Sequence, residues 1–112
     1  MRRHTIFAAA FALTALEAVS AGAQPATDGA DPAVGRAFAL QTCTPCHVVS
    51  SKQVSPPRFA IAPSFDAIAN HDTTTASGLH AFLSTPHPTM PNLILTAREQ
   101  ADVIVYIMSL KR

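Results

Sequence analysis

Cys43-Thr44-Pro45-Cys46-His47 is the stretch on which the reading of this chain turns, and it contains both cysteines of the sequence. Two thiols three positions apart, with a histidine directly behind the second, form the C-x-x-C-H pattern. Each thiol can add to one vinyl group of a single porphyrin, and the histidine behind them reaches the metal at its centre. The pattern is the attachment signature of c-type haem, and no cysteine is left over for another purpose.

Other uses of these residues account for less of the pattern. A thioredoxin-like C-x-x-C needs a βαβ setting, and no strand-type alternation lies near it. A structural zinc site needs four ligands, usually from two paired clusters, and no second pair exists. A disulfide at this spacing would be strained and would leave His47 unexplained. Haem attachment uses all three residues.

Outward toward the N-terminus, Arg2 and Arg3 precede an apolar run from Thr5 to Leu16, and Ala21-Gly22-Ala23 offers a small-x-small cleavage site. This is the grammar of a secretory signal over residues 1–23. The run falls short of the roughly 20 apolar residues of a spanning helix, and Glu17 interrupts it. An uncleaved membrane anchor is the alternative reading. The expected organisation is a signal at 1–23, a flexible leader at 24–30 and one domain over 31–112, with no membrane span after cleavage. Arg2 and Arg3 are two of eight basic residues and Glu17 is one of seven acidic ones, so the remainder balances at six of each. That balance, without a charge run, argues against a nucleic-acid partner and predicts modest long-range steering. A domain this small has a limited core and often leans on a cofactor.

Helix signals fill the space around the motif. Asp31-Pro32 supplies an N-cap carboxylate and a proline at the first helical position, which predicts a helix from Pro32 to Thr42 delivering Cys43 at its end. Val48 to Ala62 reads as a loop with Pro56 and Pro57. A short helix is expected from Ser64 or Phe65 to Asn70. A third is expected over Thr75–Ser84, with Leu79, Phe82 and Leu83 inward and Gly78 as a weak point. Thr85 to Leu95 is a proline-rich loop. Thr96-Ala97-Arg98-Glu99 is a capping box that opens a last helix running to Leu110, with Lys111 and Arg112 at its negative end. The class is all-α, with long loops and no sheet.

A second ligand to the metal must come from elsewhere. Met1 belongs to the signal and Met108 to the last helix, which leaves Met90 in the loop, between Thr89 and Pro91. Methionine is also ordinary core filler, but this loop is poor core material. His87 is the rival, with Pro86 and Pro88 restricting its reach.

With Cys43–His47, then His87-Pro88-Thr89-Met90-Pro91, then a helix carrying Tyr106-Ile107-Met108-Ser109-Leu110, the chain resembles the small bacterial class I c-type cytochromes from about Val34 to Leu110. The resemblance implies a cytochrome c-like fold of about four helices around one haem c, covalently attached through Cys43 and Cys46 and ligated by His47 and Met90. It matches Gly35 and Phe38 to the glycine and aromatic of the N-terminal helix, and Tyr106 to the aromatic of the C-terminal helix that crosses it. Pro63 corresponds to the proline whose carbonyl accepts a hydrogen bond from the ligand histidine, with Pro56 and Pro57 as alternatives. Phe65 and Ile68 would line the haem pocket or pack in the core. No tryptophan is present for a haem propionate; Lys52, Gln53 and Arg58 are the substitutes, unless they are simply solvated. Asn92 is a candidate to orient Met90, while His71 and His80 read as surface residues.

Histidine plus methionine fills the iron's coordination shell, which leaves one-electron exchange as its chemistry. The expected function is a periplasmic electron carrier, not an enzyme, meeting an unidentified redox donor and acceptor. Two alternatives remain. One is a cytochrome subunit of a larger dehydrogenase or oxidase. The other is a haem enzyme or sensor whose iron Met90 leaves open.

Overall fold

Four helices, each opened by a polar side chain, account for the regular structure of the described residues. A computed structural model describes residues 27–59, 62–90 and 93–112; the expected signal, the start of the leader and Asn92 lie outside the described residues. Helix α1 spans Pro32–Thr42, α2 Phe65–Ala69, α3 Ala76–Leu83 and α4 Ala97–Ser109. The Asp31 carboxylate accepts from the Ala33 amide at 2.7 Å, Ser64 from Ala67 at 3.1 Å and Thr75 from Gly78 at 3.0 Å. At α4 the capping box is complete: Glu99 N–H donates to the Thr96 hydroxyl at 3.2 Å, and Thr96 N–H donates to the Glu99 carboxylate at 2.8 Å. These bonds satisfy amides that have no partner inside a helix. The hydrogen bonds from the Thr96 backbone and hydroxyl also hold the Glu99 carboxyl below its ordinary value of 4.5. Among the described residues there is no strand, and the class is all-α.

Helices α1 and α4 form the central contact. A Cβ on Gly35 would sit 1.9 Å from the carbonyl oxygen of Asp102, inside any van der Waals limit. Glycine is therefore required by close backbone approach rather than by an unusual φ. One turn on, Ala39 is fully buried. The expected aromatic of this crossing, Phe38, is only half-buried and packs at the edge of the core.

The core gathers Ala39, Val49, Phe65, Ala69, Val103, Tyr106 and Ile107. Tyr106 carries its polar end into this core and donates to the Val49 carbonyl at 2.8 Å, tying α4 to the segment just after the C-x-x-C-H turn. Asp102 is buried as well, and both carboxylate oxygens are used. One accepts the Asp31 amide at 2.8 Å, and the other accepts Arg98 Nε at 3.1 Å. Arg98 also donates to the Gly29 carbonyl, so an ion pair within α4 holds the entry of α1 through two backbone contacts.

Two expectations change here. Leu79 and Leu83 of α3 pack against the core, as their spacing predicts. Phe82 does not turn inward; it is 46% exposed and stacks on His87 at a centroid distance of 3.6 Å. Lys111 and Arg112 do more than sit at the end of α4. Lys111 Nζ donates to the Thr74 carbonyl at 3.2 Å, and Arg112 pairs with Asp66 of α2 at 2.7 Å. Among the described residues no helix is long and apolar enough to cross a membrane.

Candidate haem site

Cys43 caps the C-terminus of α1, its amide donating to the Ala39 carbonyl at 2.8 Å. The chain then winds into a tight turn, in which Cys46 N–H and His47 N–H both donate to the Cys43 carbonyl, at 3.2 and 2.9 Å. Thr44 adds a hydroxyl bond to the Leu40 carbonyl at 3.0 Å. The motif is thus fastened to the end of a helix whose other face packs on α4. Both cysteines are free thiols. Burial, and then the neighbouring Cys46, push the Cys43 thiol up to about 11.

His47 is oriented from behind. Its Nδ1 lies 2.7 Å from the Pro63 carbonyl oxygen, and with the proton on Nδ1 this is a donor bond that leaves Nε2 bare. An imidazole held this way is a better and better-aimed metal ligand. The Phe65 ring stands edge-on to His47 at 5.4 Å, and Tyr106 follows behind Phe65 at 6.2 Å. Pro63 reaches this position because the Phe65 amide donates to the Val48 carbonyl at 2.9 Å, drawing the start of α2 back to the residue after His47.

The structure therefore carries Cys43, Cys46 and His47 on one turn, with the Pro63 carbonyl against the His47 ring. Two unbonded thiols and an imidazole with a bare Nε2 fit a covalently attached haem. They do not fit a structural zinc ion, since no group of three or more His, Cys, Asp or Glu converges among the described residues.

Met90 is placed elsewhere, in a small hollow lined also by Phe82, Leu83, His87, Leu93 and Leu95. None of Cys43, Cys46, His47 and Pro63 lines it. Met90 and its rival His87 thus share one wall, with His87 engaged by the Phe82 ring. His71 and His80 are exposed.

Some supporting residues have no signature in the sequence. Gln53 was one of three candidates for a propionate, yet its side chain staples its own loop: Oε1 accepts the Val49 amide at 2.9 Å and Nε2 donates to the Ser55 carbonyl at 2.7 Å. Phe59 N–H donates to the Pro45 carbonyl at 3.1 Å, closing that loop onto the attachment turn. A loop glutamine and a backbone amide give no periodicity to detect.

No family model matches the chain, and no solved structure matches it. Its sequence is 37% identical over 82 residues to cytochrome c-552 of Bradyrhizobium diazoefficiens, a match that covers 73% of this chain and 77% of that protein. With that extent of identity on a chain built around a C-x-x-C-H turn, the protein belongs to the small bacterial c-type cytochromes.

Proposed function

We propose that the protein is an exported one-electron carrier of the periplasm, working through a single haem c attached at Cys43 and Cys46 and ligated by His47 and Met90. The observation that supports this reading is the His47–Pro63 contact of 2.7 Å, which engages Nδ1 and leaves Nε2 for a metal, on a turn that also carries two free thiols. Bound haem supplies a one-electron iron couple. Cys43 and Cys46 would hold it through two thioether bonds and fix its position on the turn. His47, donating through Nδ1 to Pro63, keeps one tautomer and one ring orientation. Met90 supplies the thioether that favours the reduced iron. Its loop is short of secondary structure and rich in proline, which lets a side chain point at a ligand without a helix to carry it. With His47 and Met90 both holding the iron, no position would be left for a substrate, in keeping with a carrier and not an enzyme.

An optical spectrum of the purified full-length protein tests the proposal. The expected result is reduced bands of the two-thioether type together with a ferric charge-transfer band from methionine sulfur. Absence of that band, with rapid binding of carbon monoxide by the native ferrous protein, would overturn the Met90 assignment and leave the open-iron alternative. A lasting complex that survives purification would instead make the protein a subunit of a larger redox assembly. Residues 1–23 as a cleaved signal are tested by N-terminal sequencing of the exported protein, with Gln24 as the expected first residue.

A further inference from the structure

Gln100 and Asp102 bring a carboxamide and a carboxylate into the buried face of α4. Asp102 is accounted for at the entry of α1. Gln100 reaches instead to the end of α3. Its Nε2 donates to the Ser84 hydroxyl at 2.9 Å and to the His80 carbonyl at 3.3 Å. Ser84 is the C-cap of α3, and its amide donates to the same His80 carbonyl at 3.0 Å. Its hydroxyl donates there as well, at 2.8 Å. Thr85 continues the pattern, hydroxyl to the Ala81 carbonyl at 2.7 Å and amide to the Phe82 carbonyl at 3.2 Å. The last carbonyls of a helix have no partner within it. Among the donors that take them here, only Gln100 comes from another helix.

The loop that carries Met90 leaves from this capped turn. Pro86 and Pro88 each fix a φ angle along it, so the direction in which the chain leaves Ser84 governs where Met90 arrives. The Phe82 ring, on the last turn of α3, stacks on His87 of the loop. Leu83 and Thr85 line the same hollow as Met90. A shift of that last turn therefore moves one wall of the hollow and the loop together. Leu79 and Leu83 pack α3 on the core, but apolar contact is non-directional and leaves the helix free to slide or rotate. Hydrogen bonds are directional, and those of Gln100 fix the register.

We propose that Gln100 is a positioning residue for Met90: it fastens the last turn of α3 to α4 and so sets where the Met90 loop departs. Helix α4 is a firm anchor, because its backbone is pressed against Gly35 of α1, the helix that ends in Cys43. Gln100 thereby relates the Met90 loop to the frame that holds the attachment turn. That the loop's position bears on the iron rests on the Met90 ligation proposed above. That Gln100 sets this position rests on its bonds to Ser84 and His80.

The test uses the purified, haem-loaded protein and two readouts: the rate at which cyanide enters the ferric iron, and amide-exchange protection at Ser84 and Thr85. Gln100→Leu keeps the volume and removes the donor. Cyanide entry should quicken, and protection at Ser84 and Thr85 should fall, each by roughly fivefold, the effect of one net hydrogen bond on a local opening. Protection in α1 should fall less. Thr75→Ala removes a cap of similar worth at the other end of α3 and should leave both readouts near their starting values. Ser84→Ala, at an exposed residue, should act in the same direction as Gln100→Leu, and it carries the test alone if Gln100→Leu does not fold. Combined, the two should fall short of the product of their separate effects, because both remove the same bond. Unchanged readouts, equal acceleration by Thr75→Ala, effects that simply multiply, or an equal loss of protection in α1 would overturn the proposal. Failure of Met90 ligation shows separately: the unsubstituted ferric protein would lack the methionine charge-transfer band, while exchange at Ser84 and Thr85 still decides what Gln100 holds.

Discussion

At the scale of single residues, the site depends on side chains whose alternatives are few. His47 Nδ1 is held by the Pro63 carbonyl, and its ring rests against Phe65. Met90 shares its hollow with His87. Met90→Ala should leave haem attachment intact, allow carbon monoxide to bind, and lower the reduction potential by roughly 100 mV or more, given the span of about 0.8 V that axial ligands set. Potentiometry and a carbon monoxide difference spectrum check this; an unchanged potential would remove Met90 from the iron. Tyr106→Phe strips the buried Val49 carbonyl of its donor. The expected cost is about 1–3 kcal/mol, because the orphaned acceptor stays buried. A denaturant midpoint measures it, and the haem spectrum should not change.

At the scale of elements, the α1–α4 crossing and the caps decide where the attachment turn is held. Gly35→Ala drives a Cβ into the backbone of Asp102, an atom that cannot swing aside. It should cost about 3 kcal/mol or more, at the upper end of overpacking effects, and lower the thermal midpoint; a neutral result would mean that the helices separate freely. Thr96→Ala removes the α4 cap and should cost about 1 kcal/mol. The capping box also has a pH signature. Glu99 is depressed in the folded chain by its Thr96 hydrogen bonds, so its contribution is present above 4.5 and is lost as pH falls through the lower, folded value. Stability of Thr96→Ala should accordingly fall less steeply on acidification than that of the natural protein, as equilibrium unfolding at several pH values would show.

At the scale of the whole molecule, the apolar core is small and the attachment turn sits at its margin. The fully enclosed large side chains among the described residues are Ile104 and Val49, a modest core for a chain of this length. On the proposed reading, a covalent haem would contribute to the fold as well as to the chemistry. Replacing Cys43 and Cys46 by serine should abolish attachment and with it the cooperative unfolding transition, read by circular dichroism. A variant that still unfolds cooperatively without haem would show that the four helices suffice alone. Charge is also organised at this scale: Asp102 and Asp66 pair with Arg98 and Arg112, while Arg36, Lys52 and Arg58 line one groove.

How much of this was legible in the sequence depends on whether the cause is local. A proline, a short polar side chain or a capping box acts within four residues. Asp31-Pro32 and Thr96–Glu99 therefore announced the starts of α1 and α4, while Ser64, one of two residues expected to open α2, and Thr75, expected to open α3, prove to be their caps. The cysteine spacing likewise carried the chemistry, since two thiols and a histidine on one turn leave few other uses. What depends on distant chain segments was not legible. Gly35 is fixed by how near the Asp102 backbone comes, while Ala39 is fully enclosed and Phe38 stays half-buried at the edge of the core. Phe82 faces His87 and not the core, and Gln53 serves its loop. By itself the sequence determined the class, the caps and the Cys43–His47 turn. Only the tertiary structure decided that His47 meets Pro63, and that a chain balanced in charge gathers Arg36, Lys52 and Arg58 in one groove. Hydrogen bonds and ion pairs between remote segments are set by packing, and packing has no period along the chain.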